Sequence, residues 1–373
     1  MKNIKNESKI YIHSLDGLRF IASLNIVLLH MSSSQSLGML GKHKFLLQLI
    51  KGPMFNASVF FILGGLIYFV KLQADIDNLD TKRFLRGRFK RLYPTHIITA
   101  ATMAVLIYLK TTKYSVWFLI KSFFAHATLT WAFFPHELSG LNGPSWALTP
   151  FFIAYLTIKP ITKAIKNENR YIVLILSLFA CLIPITVATF QYIAVRGAPG
   201  NIYMIFHAMP FVRVCEFYLG MILGKLYLMR RKAPNHFWIN DLAIVLSVFS
   251  LWFSLRFKND HGLFAAWFTH HVIRTAIYGV IIWFLAKDKG LISRIFTLKP
   301  VKVIGKSSFY PYLWHVPLLN LVYQVTRSFN YHKAFYKMWH LFAFLIVLYG
   351  FSVLFSYRKK LYSLLCPKQR RKT

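Results

Sequence analysis

Runs of roughly 18–25 predominantly apolar residues recur along almost the whole chain, and nothing constrains its fold more than these. A run of that length, coiled as a helix, crosses the hydrocarbon core of a bilayer with its backbone groups satisfied internally. About ten can be counted, near 16–34, 54–73, 92–110, 145–163, 170–192, 206–228, 239–256, 263–286, 306–326 and 336–356. Segment 115–134 is apolar too, but it contains Lys121 and His126 and ends in Pro135-His136. It reads as a re-entrant or interfacial helix, with an eleventh span as the alternative. Only 15% of the residues are charged, against about 25% in soluble domains. The fold expected is an all-α, polytopic transmembrane bundle, one membrane domain over residues 1–360 with a basic cytoplasmic tail at 361–373.

The chain carries 46 Lys and Arg against 11 Asp and Glu. In a soluble protein that excess would suggest nucleic acid. Here the basic residues crowd into 71–91, 164–170, 225–236, 286–303 and 357–373, while 35–52, 191–204 and 327–335 are poorer in them. This is the asymmetry of the positive-inside rule, and it favours ten spans with both termini cytoplasmic. The lipid bilayer is thus the expected partner and nucleic acid is not. The same charge also suits a phosphate-bearing ligand or anionic lipid at the cytoplasmic face. Cys181, Cys215 and Cys366 show no metal or disulfide spacing, so no metal is expected. The first apolar run begins late and lacks a small-residue cleavage pattern, so no cleavable signal peptide is expected. No internal repeat, low-complexity stretch or soluble domain stands out.

Two stretches carry candidate chemistry. In the first, Ser14-Leu15-Asp16-Gly17-Leu18-Arg19 is followed by ten residues and then His30. Eleven helical positions make roughly three turns, so Arg19 and His30 share a face about 16 Å apart, with Ser23 and Ile26 on the same stripe. Asp16 lies three residues before Arg19 and within reach of it. A cation near one surface and a titratable base near mid-bilayer form a candidate site. The second stretch holds Arg83, Arg86, Arg88, Lys90 and Arg91 before Leu92-Tyr93-Pro94. Arg88 and Arg91 face the same way on a helix and suit bidentate phosphate binding. A basic loop that merely fixes topology is the alternative.

Taken together, these residues resemble the acyltransferase-3 family of integral membrane acyltransferases, which includes bacterial O-antigen and other cell-surface polysaccharide O-acetyltransferases. Leu15-Asp16-Gly17-Leu18-Arg19 with His30 is similar to its first-helix signature. Ser58-Val59-Phe60-Phe61-Ile62-Leu63-Gly64-Gly65 resembles its second, with Gly64 where serine is usual. Arg88 to Pro94 matches its paired-arginine motif. Arg213, Glu216-Phe217, Gly220-Met221 and Gly224 resemble a further helix, and Ser307 to Pro317 another. One departure stands out: in Trp146-Ala147-Leu148-Thr149-Pro150-Phe151, Phe151 stands where glutamate is common.

The resemblance implies transfer of an acyl group, most often acetyl, from acyl-CoA to a hydroxyl, in the bacterial inner membrane. Acetyl-CoA is then the expected donor, and a lipid-linked or surface carbohydrate such as O-antigen or exopolysaccharide the expected acceptor. Such a reaction needs a base, and neutral histidine suits it, so His30 is the candidate. Arg88 and Arg91 would contact the donor's phosphates; Arg19 would contact the donor or hold Asp16. Trp146, Tyr312 and Ser23 are candidates to contact the donor or its developing oxyanion. Arg213, Glu216 and His315 are candidate substrate contacts, although Arg213 and Glu216, three apart, also suit mutual neutralisation, and His315 also reads as an interfacial partner of Trp314. His270, His271 and Arg274 line a channel or face the next helix. A membrane transporter or exporter of a glycolipid or anionic metabolite, without covalent chemistry, is the competing class. The oligomeric state is left open.

Overall fold

The computed structural model describes residues 10–33, 57–110, 114–133, 141–167, 209–234, 236–254, 272–328 and 338–365. Among these the regular structure is all helical. The helices are α1 (Ser14–Ser33), α2 (Ala57–Leu72), α3 (Thr81–Lys110), α4 (Val116–Ala127), α5 (Leu148–Leu156), α6 (Ile158–Lys166) and α7 (Pro210–Arg230). They continue with α8 (Phe237–Ser254), α9 (Arg274–Ala286), α10 (Leu291–Phe296), α11 (Lys299–Lys306), α12 (Phe309–Ser328) and α13 (Met338–Leu365). Short 3-10 turns precede α5 at Gly143–Ala147 and follow α4 at Trp131–Phe133.

Among the described residues, α1, α2, α3, α8 and α13 are long and apolar enough to cross a membrane. Helices α7 and α12 have the length, but α7 carries Arg213, Glu216, Lys225 and Arg230 and α12 several polar groups. The outer faces of α8 and α13 expose Leu246, Phe249, Phe342, Ile346 and Leu354. Apolar side chains on continuous helical faces suit a lipid-facing surface, where lipid replaces water as solvent. The expected span at 170–192 lies outside the described residues, as do His270, His271, Cys181 and Cys366, nearly all of 35–52, 191–204 and 327–335, and part of 263–286.

Three expected boundaries are corrected. The basic stretch 81–91 is not loop: α3 starts at Thr81 and runs through Pro94. Asp80 explains the early start, because its carboxylate accepts from the Arg83 amide at 3.0 Å, a helix N-cap. The expected span 145–163 is broken into α5 and α6 at Thr157, whose hydroxyl turns back to the Ile153 and Ala154 carbonyls. Helix α6 is amphipathic, with Lys159, Lys163 and Lys166 along nine residues, which suits a membrane surface rather than its interior. Within 286–303, α10 and α11 replace the expected loop, and an Asp241 carboxylate caps α10 through the Leu291 and Ile292 amides at 2.7 and 3.0 Å.

The centre of the bundle is the crossing of α2 with α7. A side chain on Gly65 would collide with the Phe217 carbonyl, and one on Gly220 with the Ile62 carbonyl. Gly220 and Gly224, four apart, thus bring two backbones into contact as small residues do between membrane helices. Lipid tails are as apolar as leucine, so this contact is held by dispersion and shape rather than by expulsion of water. Even alanine at Gly65 or Gly220 would force the helices apart. Along the same face α2 packs Phe61 and Phe69 into a cluster with Trp146, Ala147, Tyr155 and Phe217. Helix α1 is fixed at its start by Asp288, which accepts from the Ser14 amide at 3.0 Å, and along its first turns by Gly305 of α11, which lies against the Asp16 carbonyl. Towards its far end Val27 and Met31 pack with Leu319 of α12 and Leu348 of α13.

Candidate active site

The packing of α1, α2, α3, α5, α11 and α12 leaves a cavity of about 550 Å³. One stripe of α2 runs its length: Ala57, Phe60, Phe61, Gly64, Tyr68 and Lys71 all line it. At 1.5 Å per residue, Ala57 to Lys71 spans about 21 Å. The Lys71 end is cationic, with Arg19 from α1, Arg88 and Arg91 from α3, and Lys306 from α11 on the wall. Further in, the wall is aromatic: Phe61, Phe151, Tyr155, and then Phe60 and Tyr312.

Arg88 and Arg91 reach the wall together because both lie on the helical part of α3, on one face as their spacing predicts. The Arg88 guanidinium sits over the rings of Tyr68 and Phe84 at 5.1 and 5.0 Å, which orients it without neutralising it. Arg19 donates to Asp16 at 2.9 Å, and the Tyr11 hydroxyl bonds the other oxygen of the same carboxylate. Asp16 is buried and serves this mouth, about four turns from His30. Burial and the Asp16 carboxylate push the Tyr11 phenol up from its ordinary range, so Tyr11 stays a donor.

His30 meets His315 of α12, with Nδ1 of the first 2.7 Å from Nε2 of the second. The Nδ1 of His315 lies 3.0 Å from the Pro311 carbonyl, which can only accept. His315 Nδ1 therefore carries the proton, and in a neutral ring its Nε2 accepts from His30 Nδ1. That leaves the lone pair of His30 on Nε2. His315 is fully buried, while His30 retains some exposure. His315 thus fixes the tautomer and ring plane of His30 instead of reaching outward. Neither histidine lines the cavity, but Tyr312, one turn before His315 and 6.3 Å from its ring, does; its hydroxyl donates to the Pro144 carbonyl at 2.7 Å.

The other expected residues fall elsewhere. Ser23 bonds the Phe20 carbonyl and the Tyr349 hydroxyl, both at 2.9 Å, and faces α13. Trp146 is buried beside Phe61 and beneath the Arg213 guanidinium, and does not line the cavity. Arg213 is fully buried; its Nη1 donates to Glu216 at 2.7 Å and to Ser58 at 2.8 Å, and Ser58 donates to the same Glu216 oxygen. Arg274 is buried and donates to the Ser254 hydroxyl at 3.0 Å. Phe151 packs 4.6 Å from Phe61, and a Cβ on Gly64 would stand 3.1 Å from its ring. The two departures from the family pattern, Gly64 and Phe151, therefore touch each other in the cavity wall, a ring resting where no side chain competes. Lys71, Lys306 and Tyr11 were missed by the reading of the sequence. A lone cation closing an apolar helix, and another after Gly305 at the foot of the Ser307–Pro317 motif, were the available signals. Among the described residues, no group of three His, Cys, Asp or Glu side chains suits a metal.

Residues 12–357 match the profile of the acyltransferase domain family, nearly the whole chain. The chain belongs to that family. Over 354 residues this member of the acyltransferase domain family is 24% identical to the peptidoglycan O-acetyltransferase OatA of Listeria monocytogenes, covering 86% of the chain and 51% of that protein. It is 27% identical over 232 residues to the acyltransferase MdmB of Streptomyces mycarofaciens, covering 58% of the chain and 57% of that protein. The chain thus spans little more than half the length of these relatives. No solved structure matches it.

Proposed function

We propose that the protein is a multi-pass membrane O-acyltransferase that moves an acetyl or other short acyl group from acyl-CoA to a hydroxyl of a cell-surface carbohydrate. One observation supports the reading: a cavity has a cationic mouth and an aromatic throat, and Tyr312 on its wall lies one turn before His315, which is hydrogen-bonded to His30. Arg88 and Arg91 bind phosphate at the mouth, and the aromatic stretch takes the uncharged arm of the donor. His30 Nε2 removes the proton of the acceptor hydroxyl. The acceptor oxygen bonds to the acyl carbon, the carbon–sulfur bond breaks, and the proton passes from His30 to the departing sulfur. Atoms and charge balance without a metal or redox partner. A positioned base of this kind contributes roughly 10²–10⁴-fold. In this reading the bundle lies in the bacterial inner membrane with the arginine end inside. The name of OatA adds a peptidoglycan sugar to O-antigen and exopolysaccharide as acceptor candidates.

The decisive experiment substitutes His30→Ala and follows acetate incorporation into surface glycans by mass spectrometry. Incorporation is expected to vanish while the protein remains folded in the membrane at its normal level. Undiminished acetylation would sink the assignment of His30 and favour transport without covalent chemistry.

A further inference from the structure

The cavity mouth holds more positive charge than one pyrophosphate requires. Five cations line the wall and no carboxylate does. Asp16 lies close by but is engaged by Arg19 and Tyr11. Lys71 and Lys306 stand apart from the two arginines of α3 in one respect. Arg88 rests on Tyr68 and Phe84, whereas both ammonium groups approach a different ring, that of Tyr11, with Nζ at 5.7 and 5.1 Å from its centroid. Among the described residues neither lysine makes an ion pair. They come from helices more than 200 positions apart, and the fold holds them at this ring by packing Gly305 directly against the Asp16 backbone. Two like charges 5.7 and 5.1 Å from one ring centroid repel each other, and an anion bound beside them relieves that repulsion.

We propose that Lys71 and Lys306, which line the cavity beside Tyr11, form a second anion subsite that holds a phosphomonoester of the donor, separate from the Arg88–Arg91 pair that takes its pyrophosphate. The proposal rests on the acyl-CoA reading above. Coenzyme A carries both groups: a pyrophosphate in the chain and a lone phosphate on the ribose. Two planar guanidiniums suit the linked phosphates, which offer paired oxygens to a fork. Two compact ammonium groups with rotatable donors suit a single terminal phosphate approached from several sides. A phosphopantetheine arm on a carrier protein has one phosphodiester and would leave this subsite empty, so the subsite also selects free coenzyme A as the carrier.

The test compares coenzyme A with dephospho-coenzyme A, which lacks only the ribose phosphate. Equilibrium binding to the full-length protein is measured by calorimetry in nanodiscs of zwitterionic lipid, where no anionic headgroup competes. Wild-type protein should bind coenzyme A about 10- to 100-fold more tightly than the dephospho form, the fold-change of one charge-assisted contact. Lys71→Met with Lys306→Met should bring that ratio to about 1 while leaving affinity for the dephospho form within about 3-fold and the thermal midpoint unchanged. Arg88→Met with Arg91→Met should weaken both ligands in parallel and keep the ratio. The subsite is overturned if both ligands bind wild type equally, if the lysine variant keeps the ratio, or if the arginine variant abolishes it. Failure of wild type to bind either ligand would overturn the acyl-CoA reading itself, and the subsite with it.

Discussion

Two regions of this bundle place arginine in largely apolar surroundings, and they treat it in opposite ways. At the α2–α7 crossing Arg213 is fully buried, and Glu216 and Ser58 receive its Nη1 at 2.7 and 2.8 Å. At the cavity mouth Arg88 and Arg91 line open space with three further cations, and no carboxylate shares the wall. The first arrangement closes its charge internally and does not line that cavity. The second has an ion pair at Arg19 alone among the described residues, so its remaining charge suits an anion from outside the chain. On the proposed reading, the paired cation beneath the tight backbone crossing is structural and the cluster around the cavity binds. Sequence spacing alone does not separate them: Arg213 and Glu216 are three apart, and so are Arg88 and Arg91.

The comparison is broken most directly by removing one partner of the buried pair. Arg213→Ala would leave the Glu216 carboxylate buried and uncompensated, a cost of about 3–5 kcal/mol. Glu216 already has one oxygen without a hydrogen-bond partner among the described residues, so it has little to fall back on. The expected outcome is a large loss of monodisperse protein in detergent and a steep fall in the thermal midpoint. Normal yield with lost activity would instead place Arg213 in substrate binding. The next largest effect lies at the mouth and should be kinetic. Arg88→Met with Arg91→Met removes two charge-assisted contacts of about 1.5–3 kcal/mol each, so transfer from acyl-CoA should fall about 10²–10⁴-fold, mainly through donor KM. Stability should stay within about 1 kcal/mol, because the lost stacking of Arg88 on Tyr68 and Phe84 is offset by relief of repulsion. A destabilised protein with unchanged KM would reverse the assignment of the two regions. The third test restores the first region without its charge: Arg213→Met with Glu216→Leu should recover most of the midpoint lost in Arg213→Ala, since apolar replacement of a whole buried pair is often neutral or stabilising by about 1–4 kcal/mol.

How much of this was legible in the sequence follows from the range of each interaction. The apolar runs announced α1, α2, α7, α8 and α12 to within a few residues, and the start of α13, because a membrane helix satisfies its backbone locally. Arg19 with Asp16, and Arg88 with Arg91, could be placed on common faces for the same reason: three residues is one helical turn. The break at Thr157 and the early start at Asp80 were harder, since each depends on a single side chain bonding the backbone. The pairing of His30 with His315 spans 285 positions, and no local pattern carries it. Ser23 shows the converse. Helical geometry put it on the stripe of Arg19 and His30, but the neighbour that decides its role is Tyr349, 326 positions away. The subsite around Tyr11 was invisible for the same reason, needing α2 and α11 to meet beside the residues before α1.

The smallest expected effect concerns a third kind of charge, paired but left in water. Asp77 bonds Lys163 at 2.8 Å and Lys166 at 3.5 Å, and its side chain is 65% exposed. The hydrogen bond from Lys163 holds its carboxyl below the usual range. By linkage, whatever this pair contributes is present above the ordinary carboxylate range and is lost as the pH falls through the lowered value. Solvent and salt screen such a pair, and ordering two lysine stems offsets the Coulomb gain, so Asp77→Asn should leave the thermal midpoint unchanged at neutral pH and at every salt concentration. Distance alone cannot explain that outcome, because the Lys163–Asp77 pair at 2.8 Å is nearly as short as the Arg213–Glu216 pair at 2.7 Å. What differs is the medium around them. A measurable loss on substituting Asp77 would mean that α6 is clamped to the loop before α3 by charge, and burial would then no longer be what separates structural ion pairs from incidental ones in this fold.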